Sequence, residues 1–305
     1  MRRLTTISVA SGLGANIAGS EYGPSVLMRS GSFQQLLRGH GIELKWSLIH
    51  PETEGDRFQI LKRLFHHTAQ QMHKVVSSGE TFVAIGGDHS MAMGVWRGVM
   101  STLKPKRLGL LWIDAHLDLH TMDTSVSCNV HGMPLSALLG QGDDLLQDIY
   151  GSEEFLDPAN VALIGAHSYE PDEIALARRM ALATFDMPAI RRSGSLVSVM
   201  KQALRLVADS SDRFGVSIDL DVLDPRDAPG VNTPEKGGIR WQELQQALSL
   251  VFEEHRLVGV EIAEFNPMLD RGGKTQQVIA GLIGAVYSDL GIENSPALIQ
   301  VRETI

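Results

Sequence analysis

The 305-residue sequence predicts an α/β protein with a mostly parallel sheet of about eight strands, covered by helices on both faces. Three observations carry that prediction. Short apolar runs alternate with amphipathic stretches along the whole chain. The runs are continuously apolar, as strands buried on both faces must be. Unusual polar residues fall just after four of the runs, at His89, Asp114–Asp118, Asp219–Asp221 and Glu264. In open parallel sheets that is the end where ligands bind.

Taken in order, Leu4–Ala10 is the first strand, followed by a loop with Gly12, Gly14 and Gly19 and a helix opened by Pro24. Ile42–Ile49 is the second strand. Asp56–Ser78 is a long amphipathic helix with Ile60, Leu64, Phe65, Met72, Val75 and Val76 on one stripe, and Gly79 stops it. The strand Thr81–Ile85 runs into Gly86-Gly87-Asp88-His89-Ser90, and a helix continues to Leu103. Leu108–Ile113 is the central strand. Met133–Leu139 reads as helix, Val161–Gly165 as strand, Asp172–Arg179 as helix and Leu182–Phe185 as a short strand. Ser195–Asp209 is helical and Phe214–Ile218 is a strand. The helix Trp241–Phe252 turns Leu244, Leu248 and Val251 inward, Leu257–Ile262 is the last strand, and Gln276–Leu290 closes the chain. No repeat or linker separates domains, so residues 1–305 are expected to form one domain.

Composition narrows the function. A formal charge of −9, with no basic cluster beyond Lys104–Arg107, argues against nucleic acid as a partner. No apolar run approaches the roughly 20 residues of a membrane helix. The Met1-Arg2-Arg3 start imitates a signal peptide, but the polar residues and glycines that follow fit a strand better. The single cysteine, Cys128, excludes an internal disulfide, and a cytoplasmic location is expected.

The chemistry concentrates in Trp112-Ile113-Asp114-Ala115-His116-Leu117-Asp118. On an extended backbone Asp114, His116 and Asp118 share one direction, and Asp219 and Asp221 repeat the spacing at another strand end. With His89 they make four carboxylates and two imidazoles. Such a cluster is tolerable when cations sit within it, and two divalent ions balance the four negative charges. Oxygen donors with a minority of imidazole suit manganese better than zinc, with iron, cobalt or nickel as alternatives.

Gly-Gly-Asp-His-Ser (86–90), Asp-Ala-His-Leu-Asp (114–118), Asn-Val-His-Gly (129–132) and Ser-Ile-Asp-Leu-Asp-Val-Leu-Asp-Pro (217–225), in this order, resemble the motifs of the ureohydrolase family, which includes arginases and agmatinases. The resemblance runs on to Glu264-Phe265-Asn266-Pro267 and is closest to the arginases. It implies a three-layer α/β/α sandwich and two Mn²⁺ per chain. One ion would be held by His89, Asp114, Asp118 and Asp219, the other by Asp114, His116, Asp219 and Asp221. It also implies hydrolysis of a small-molecule guanidino substrate, L-arginine first, and a homotrimer or homohexamer. Glu264 would pair with the guanidinium, Thr233 would add a hydrogen bond, and His131 would pass a proton to the leaving amine.

Ser127 and Asn129 match the family's readers of an α-carboxylate, and Glu170 and Glu173 its grip on an α-ammonium. There are departures. His120 stands where arginases carry Asn, Ser168 where they carry Asp, Cys128 and Asn232 where they carry Gly, and Glu170 is one methylene longer than the usual Asp. The alternatives are an agmatinase or another guanidino-acid ureohydrolase, a deacetylase-like hydrolase with one zinc, and a non-catalytic homologue. Outside the cluster the ordinary readings hold. His66 and His67 lie on a solvated face, Cys128 is a small packing residue, and Asp224 belongs to a loop. His120 stays open between a substrate contact, a support for the ligands and a wet loop side chain.

Overall fold

The computed structural model describes residues 1–103, 107–142, 155–252 and 254–288. Eight strands are present: β1 (Arg2–Val9), β2 (Ile42–Ile49), β3 (Phe82–Gly86), β4 (Leu108–Ile113), β5 (Val161–Ile164), β6 (Ala183–Phe185), β7 (Arg213–Asp219) and β8 (Leu257–Ala263). They form one sheet in the order β2-β1-β3-β8-β7-β4-β5-β6, and every neighbouring pair is parallel. After β3 the chain skips two places to lay down β4, and β7 and β8 later fill the gap. Residues far apart in sequence therefore end side by side at the carboxyl edge of β3, β8, β7 and β4.

Ten helices cover the sheet among the described residues: α1 (Gly23–Arg29), α2 (Gly31–Gly39), α3 (Arg57–Ser77), α4 (Ala92–Met100), α5 (Pro134–Leu138), α6 (Pro171–Arg179), α7 (Met187–Ser193), α8 (Leu196–Ser210), α9 (Trp241–Phe252) and α10 (Lys274–Tyr287). The pleat of β4 divides the core. Leu108, Leu110 and Trp112 pack with side chains of α3, α4, α5 and α6, while Leu111 and Ile113 pack with those of α8, α9 and α10. These are the three layers that the family resemblance implies.

Most predicted elements form within a few residues of their expected ends, and three details differ. The helix opened by Pro24 is two helices, broken at Ser30, where the backbone turns extended and the Oγ accepts the Phe33 N–H at 3.3 Å, starting α2 afresh. Helix α7 has no counterpart in the sequence reading. Its signals are local: Asp186 caps it by accepting the Ala189 N–H at 2.7 Å, Pro188 opens it and left-handed Gly194 ends it. The closing helix begins two residues early, at Lys274, and stops at Tyr287, where Ser288 turns extended, short of the expected Leu290; Asp289 and Leu290 themselves lie outside the described residues, as do 104–106 of the basic cluster.

Asp56 and Gln59 form a reciprocal capping box at the start of α3. Thr68, Ala69 and Met72 on its buried stripe meet Gly94 and Gly98 of α4, and a Cβ at Gly98 would lie 2.4 Å from the Ala69 carbonyl oxygen. Backbone against backbone cannot yield as a side chain can. Gly98→Val is therefore expected to destabilise the protein by about 1–3 kcal/mol, lowering its melting temperature. Gly31→Ala, where the added Cβ meets nothing within 4 Å, should leave it nearly unchanged.

Candidate metal centre and substrate cleft

Three strand ends are finished by the same local device. As ladder hydrogen bonds run out, an aspartate accepts the backbone N–H two residues ahead: Asp88 from Ser90 at 3.0 Å, Asp114 from His116 at 2.7 Å and Asp219 from Asp221 at 2.9 Å. This corrects the expectation that Asp114, His116 and Asp118 converge on an extended backbone. The chain bends at Ala115 and His116, Asp118 takes a left-handed φ of 52°, and Leu220–Val222 is a 3-10 turn. The turns, not the pleat, gather the side chains.

The gathered atoms are close. His89 Nδ1 lies 3.2 Å from an Asp114 oxygen, 3.0 Å from Asp118 and 3.2 Å from Asp219. His116 Nδ1 lies 3.5 Å from the other Asp114 oxygen and 3.1 Å from Asp221. Donor atoms of His89, Asp114 and Asp219 all fall within 4.8 Å of one another, as do those of Asp114, His116 and Asp221, so Asp114 belongs to both groups.

The hydrogen bonds behind His89 test whether cations fit. Ser217 Oγ donates its one proton to Glu261 Oε2 at 2.8 Å and so accepts from His89 Nε2 at 2.9 Å. In the neutral ring that can bind a cation the lone pair is then on Nδ1, which is buried without a hydrogen-bond partner among three carboxylates, beside the equally unpartnered Asp118 Oδ2. Lone pair against carboxylate oxygen is repulsive, and a divalent cation between them reverses the sign. The residues fit the group.

Protons replace cations imperfectly. Burial and the nearby Asp114 push the Asp118 carboxyl up to about 7, and burial with Asp221 holds Asp219 well above the usual carboxylate range. Burial opposes a charged ring at His89, yet Asp114, Asp118 and Asp219 outweigh it and hold the imidazole well above its ordinary value. A cluster in which some carboxyls must stay protonated is one that expects positive charge from outside.

Around the cluster lies a second layer. The Trp112 ring stacks on His89 with centroids 4.5 Å apart, and its Nε1 donates to Asp114 at 3.1 Å. Trp96 Nε1 donates to Glu261 at 2.7 Å. Ser217 and Trp112 sit within the runs singled out in the sequence, but neither they nor Glu261 was given a role there. The readable signal was Glu261 itself, a carboxylate inside the otherwise apolar strand Leu257–Ile262.

Above the cluster opens a cleft of about 470 Å³, lined by Asp118, His116, Asp219, Asp221, His131, Thr233, His120, Ser127, Asn129, Glu170 and Glu173 among others. Thr233 donates to Asp221 at 2.9 Å. Glu173 is buried, and its two oxygens accept the backbone N–H groups of Leu119 at 3.2 Å and Glu170 at 2.9 Å. Cys128 adopts a φ of 51°, which is why glycine suits that position.

Two expected placements come out differently. Glu264 does not line the cleft. It is fully buried at a strained φ of 69°, with Oε1 accepting the His89 N–H at 2.9 Å and facing His131 Nδ1 at 3.1 Å. Asn232, which stands where the family carries Gly, has no left-handed φ, so the backbone there does not call for glycine. Its side chain accepts from Asn266 at 2.7 Å and reaches Glu264 Oε2 at 3.5 Å. Burial alone would lower the His131 pKa, but Glu264 raises it to about 9.

The profile of the Arginase family matches residues 4–288. An arginase of Brevibacillus brevis is 34% identical over 296 residues, covering 94% of this chain and 98% of its own. An arginase of Bacillus caldovelox is 34% identical over 300 residues, covering 95% and 99%. The crystal structure of arginase from Bacillus subtilis superposes with a TM-score of 0.85 at 31% identity, over 93% of this chain and 98% of that one. With the motifs, the sheet order and the paired histidine–carboxylate clusters in agreement, this chain belongs to the arginase family.

Proposed function

We propose that this chain hydrolyses L-arginine to L-ornithine and urea, with residues 1–305 acting as one catalytic domain. The observation that carries the reading is the pair of histidine–carboxylate groups sharing Asp114, set beneath a cleft that also presents His131. His89, Asp114, Asp118 and Asp219 would hold one cation, and Asp114, His116, Asp219 and Asp221 the other. The oxygen-rich donor set favours Mn²⁺. When bound, such a pair lowers the pKa of a shared water so that hydroxide is available near neutral pH.

The rest is done by side chains. Glu264 holds His131 Nδ1, which leaves Nε2 as the nitrogen available to the cleft, and a pKa of about 9 keeps a proton there at neutral pH. From that position His131 delivers a proton to the departing amine. Glu264 stands behind the cleft lining, so it acts through His131, and Thr233 is the lining group that helps to orient the guanidinium. Ser127, Asn129 and His120 face the amino-acid tail, together with Glu170 and Glu173. A homotrimer or homohexamer in the cytoplasm completes the proposal, on the family resemblance and the single cysteine.

Urea release from Mn²⁺-loaded protein tests the reading. L-Arginine is expected to exceed agmatine, which lacks the carboxylate, by at least about a hundredfold in kcat/KM. Equal turnover would make the chain an agmatinase. Metal analysis should find two Mn²⁺ per chain, and one would reject the paired site. Asp118 titrates near 7 and Asp219 well above the carboxylate range in the metal-free protein, so loading displaces protons. The sign follows: affinity for Mn²⁺ rises from pH 6 to pH 8, with proton release measurable by indicator dye. His131→Ala should lower kcat by about 10²–10⁴ while Mn²⁺ content stays at two.

A further inference from the structure

The end of the cleft away from the metal cluster is unusual in having its acids already partnered. Glu173 is buried, both oxygens accept backbone N–H groups, and His120 Nε2 adds a third approach at 3.4 Å. The same nitrogen lies 3.7 Å from Glu170. That one ring nitrogen faces both carboxylates at the mouth of the cleft. His120 Nδ1 is 3.2 Å from the Thr124 hydroxyl, which fixes the ring in this orientation.

The other groups nearby do not restore a free acid. Ser168 spends its hydroxyl proton on Glu235 at 3.0 Å, and Glu235 stands outside the cleft lining. Glu170 lines the cleft, but its side chain is 60% exposed, where water and salt screen any ion pair. An α-ammonium entering here must displace the His120 N–H from Glu173 or pair with a solvated carboxylate. A ligand without an ammonium leaves no buried charge unpaired. Losing a partner is costly only when the group it served is left alone.

Resting on the proposed hydrolysis of guanidino compounds, we propose that the tail end of this cleft reads the carboxylate and is nearly indifferent to the α-ammonium, with His120 as the specificity-determining residue. ω-Guanidino carboxylic acids that lack an α-amine are then substrates beside arginine, 5-guanidinopentanoic acid being the member that matches arginine in length. The reaction balances as it does for arginine. Water oxygen bonds to the guanidinium carbon, the bond from that carbon to the chain nitrogen breaks, and that nitrogen takes the proton. The products are urea and 5-aminopentanoic acid.

The test compares kcat/KM for urea release from L-arginine, 5-guanidinopentanoic acid and agmatine, using full-length Mn²⁺-loaded protein. The expected result is that the first two lie within about tenfold of each other and agmatine falls well below both. A deficit of more than about a hundredfold for 5-guanidinopentanoic acid, the scale of a lost buried ion pair, would overturn the inference while arginine turnover left the proposed function standing. Urea from none of the three would instead overturn the proposed function. His120→Asn, which removes the N–H from Glu173, should shift the ratio at least tenfold toward arginine, chiefly through KM. An unchanged ratio in a variant that melts like the parent would remove His120 from its assigned role. Should that variant fail to fold, His120→Ala carries the same expectation.

Discussion

Four carboxylates and an imidazole lone pair are compressed beneath one cleft, and the surrounding protein is built to keep them there. Left to themselves the groups would separate or take up protons, since buried like charges repel strongly at low dielectric. Here the groups have no room to separate. Ser217 and Glu261 hold the far side of the His89 ring, Trp112 covers its face, and Thr233 restrains Asp221. The site is thus organised before any cation arrives, so little rearrangement opposes binding.

The backbone carries part of the strain. Asp118, Cys128 and Glu264 all adopt left-handed φ values although none is glycine, and all lie in or beside the site. Each is held from several directions. Glu264 is tied through His89 and His131, and Cys128 through the Ser125 hydroxyl at 3.1 Å. The paired turns at Asp114 and Asp219 show how economical the construction is. One carboxylate oxygen shapes the loop and the other faces His89.

Along the cleft the balance of charge changes. Near the floor, carboxylates outnumber cations. Near the mouth, His120 approaches Glu173 and Glu170, and the position of Ser168 bears no charge. The proposed ligands at the floor follow the family's motifs, while His120, Ser168 and Glu170 at the mouth depart from them. Divergence of this kind is expected when a reaction depends on a fixed electrostatic cluster and specificity depends on a few contacts at a distance from it.

Much of this was legible in one dimension. Continuous apolar runs read as buried parallel strands because both of their faces are covered, and the chemistry-bearing residues had to follow those runs. All six proposed ligands were identifiable by residue type and spacing, and His131 by the family motif that it belongs to. Glu261 and Ser217 were not, because their meaning depends on strands β7 and β8 lying side by side. Nor was the placement of Glu264 behind His131, which follows from a φ that no pattern of residue types encodes. Local sequence determined which elements form and which atoms are available to bind, since periodicity, caps and side-chain chemistry are local properties. Which atoms meet, which nitrogen of His89 bears the lone pair, and whether the acids at the cleft mouth are free or already partnered were decided only by the tertiary structure, because those depend on contacts between residues tens to more than a hundred positions apart.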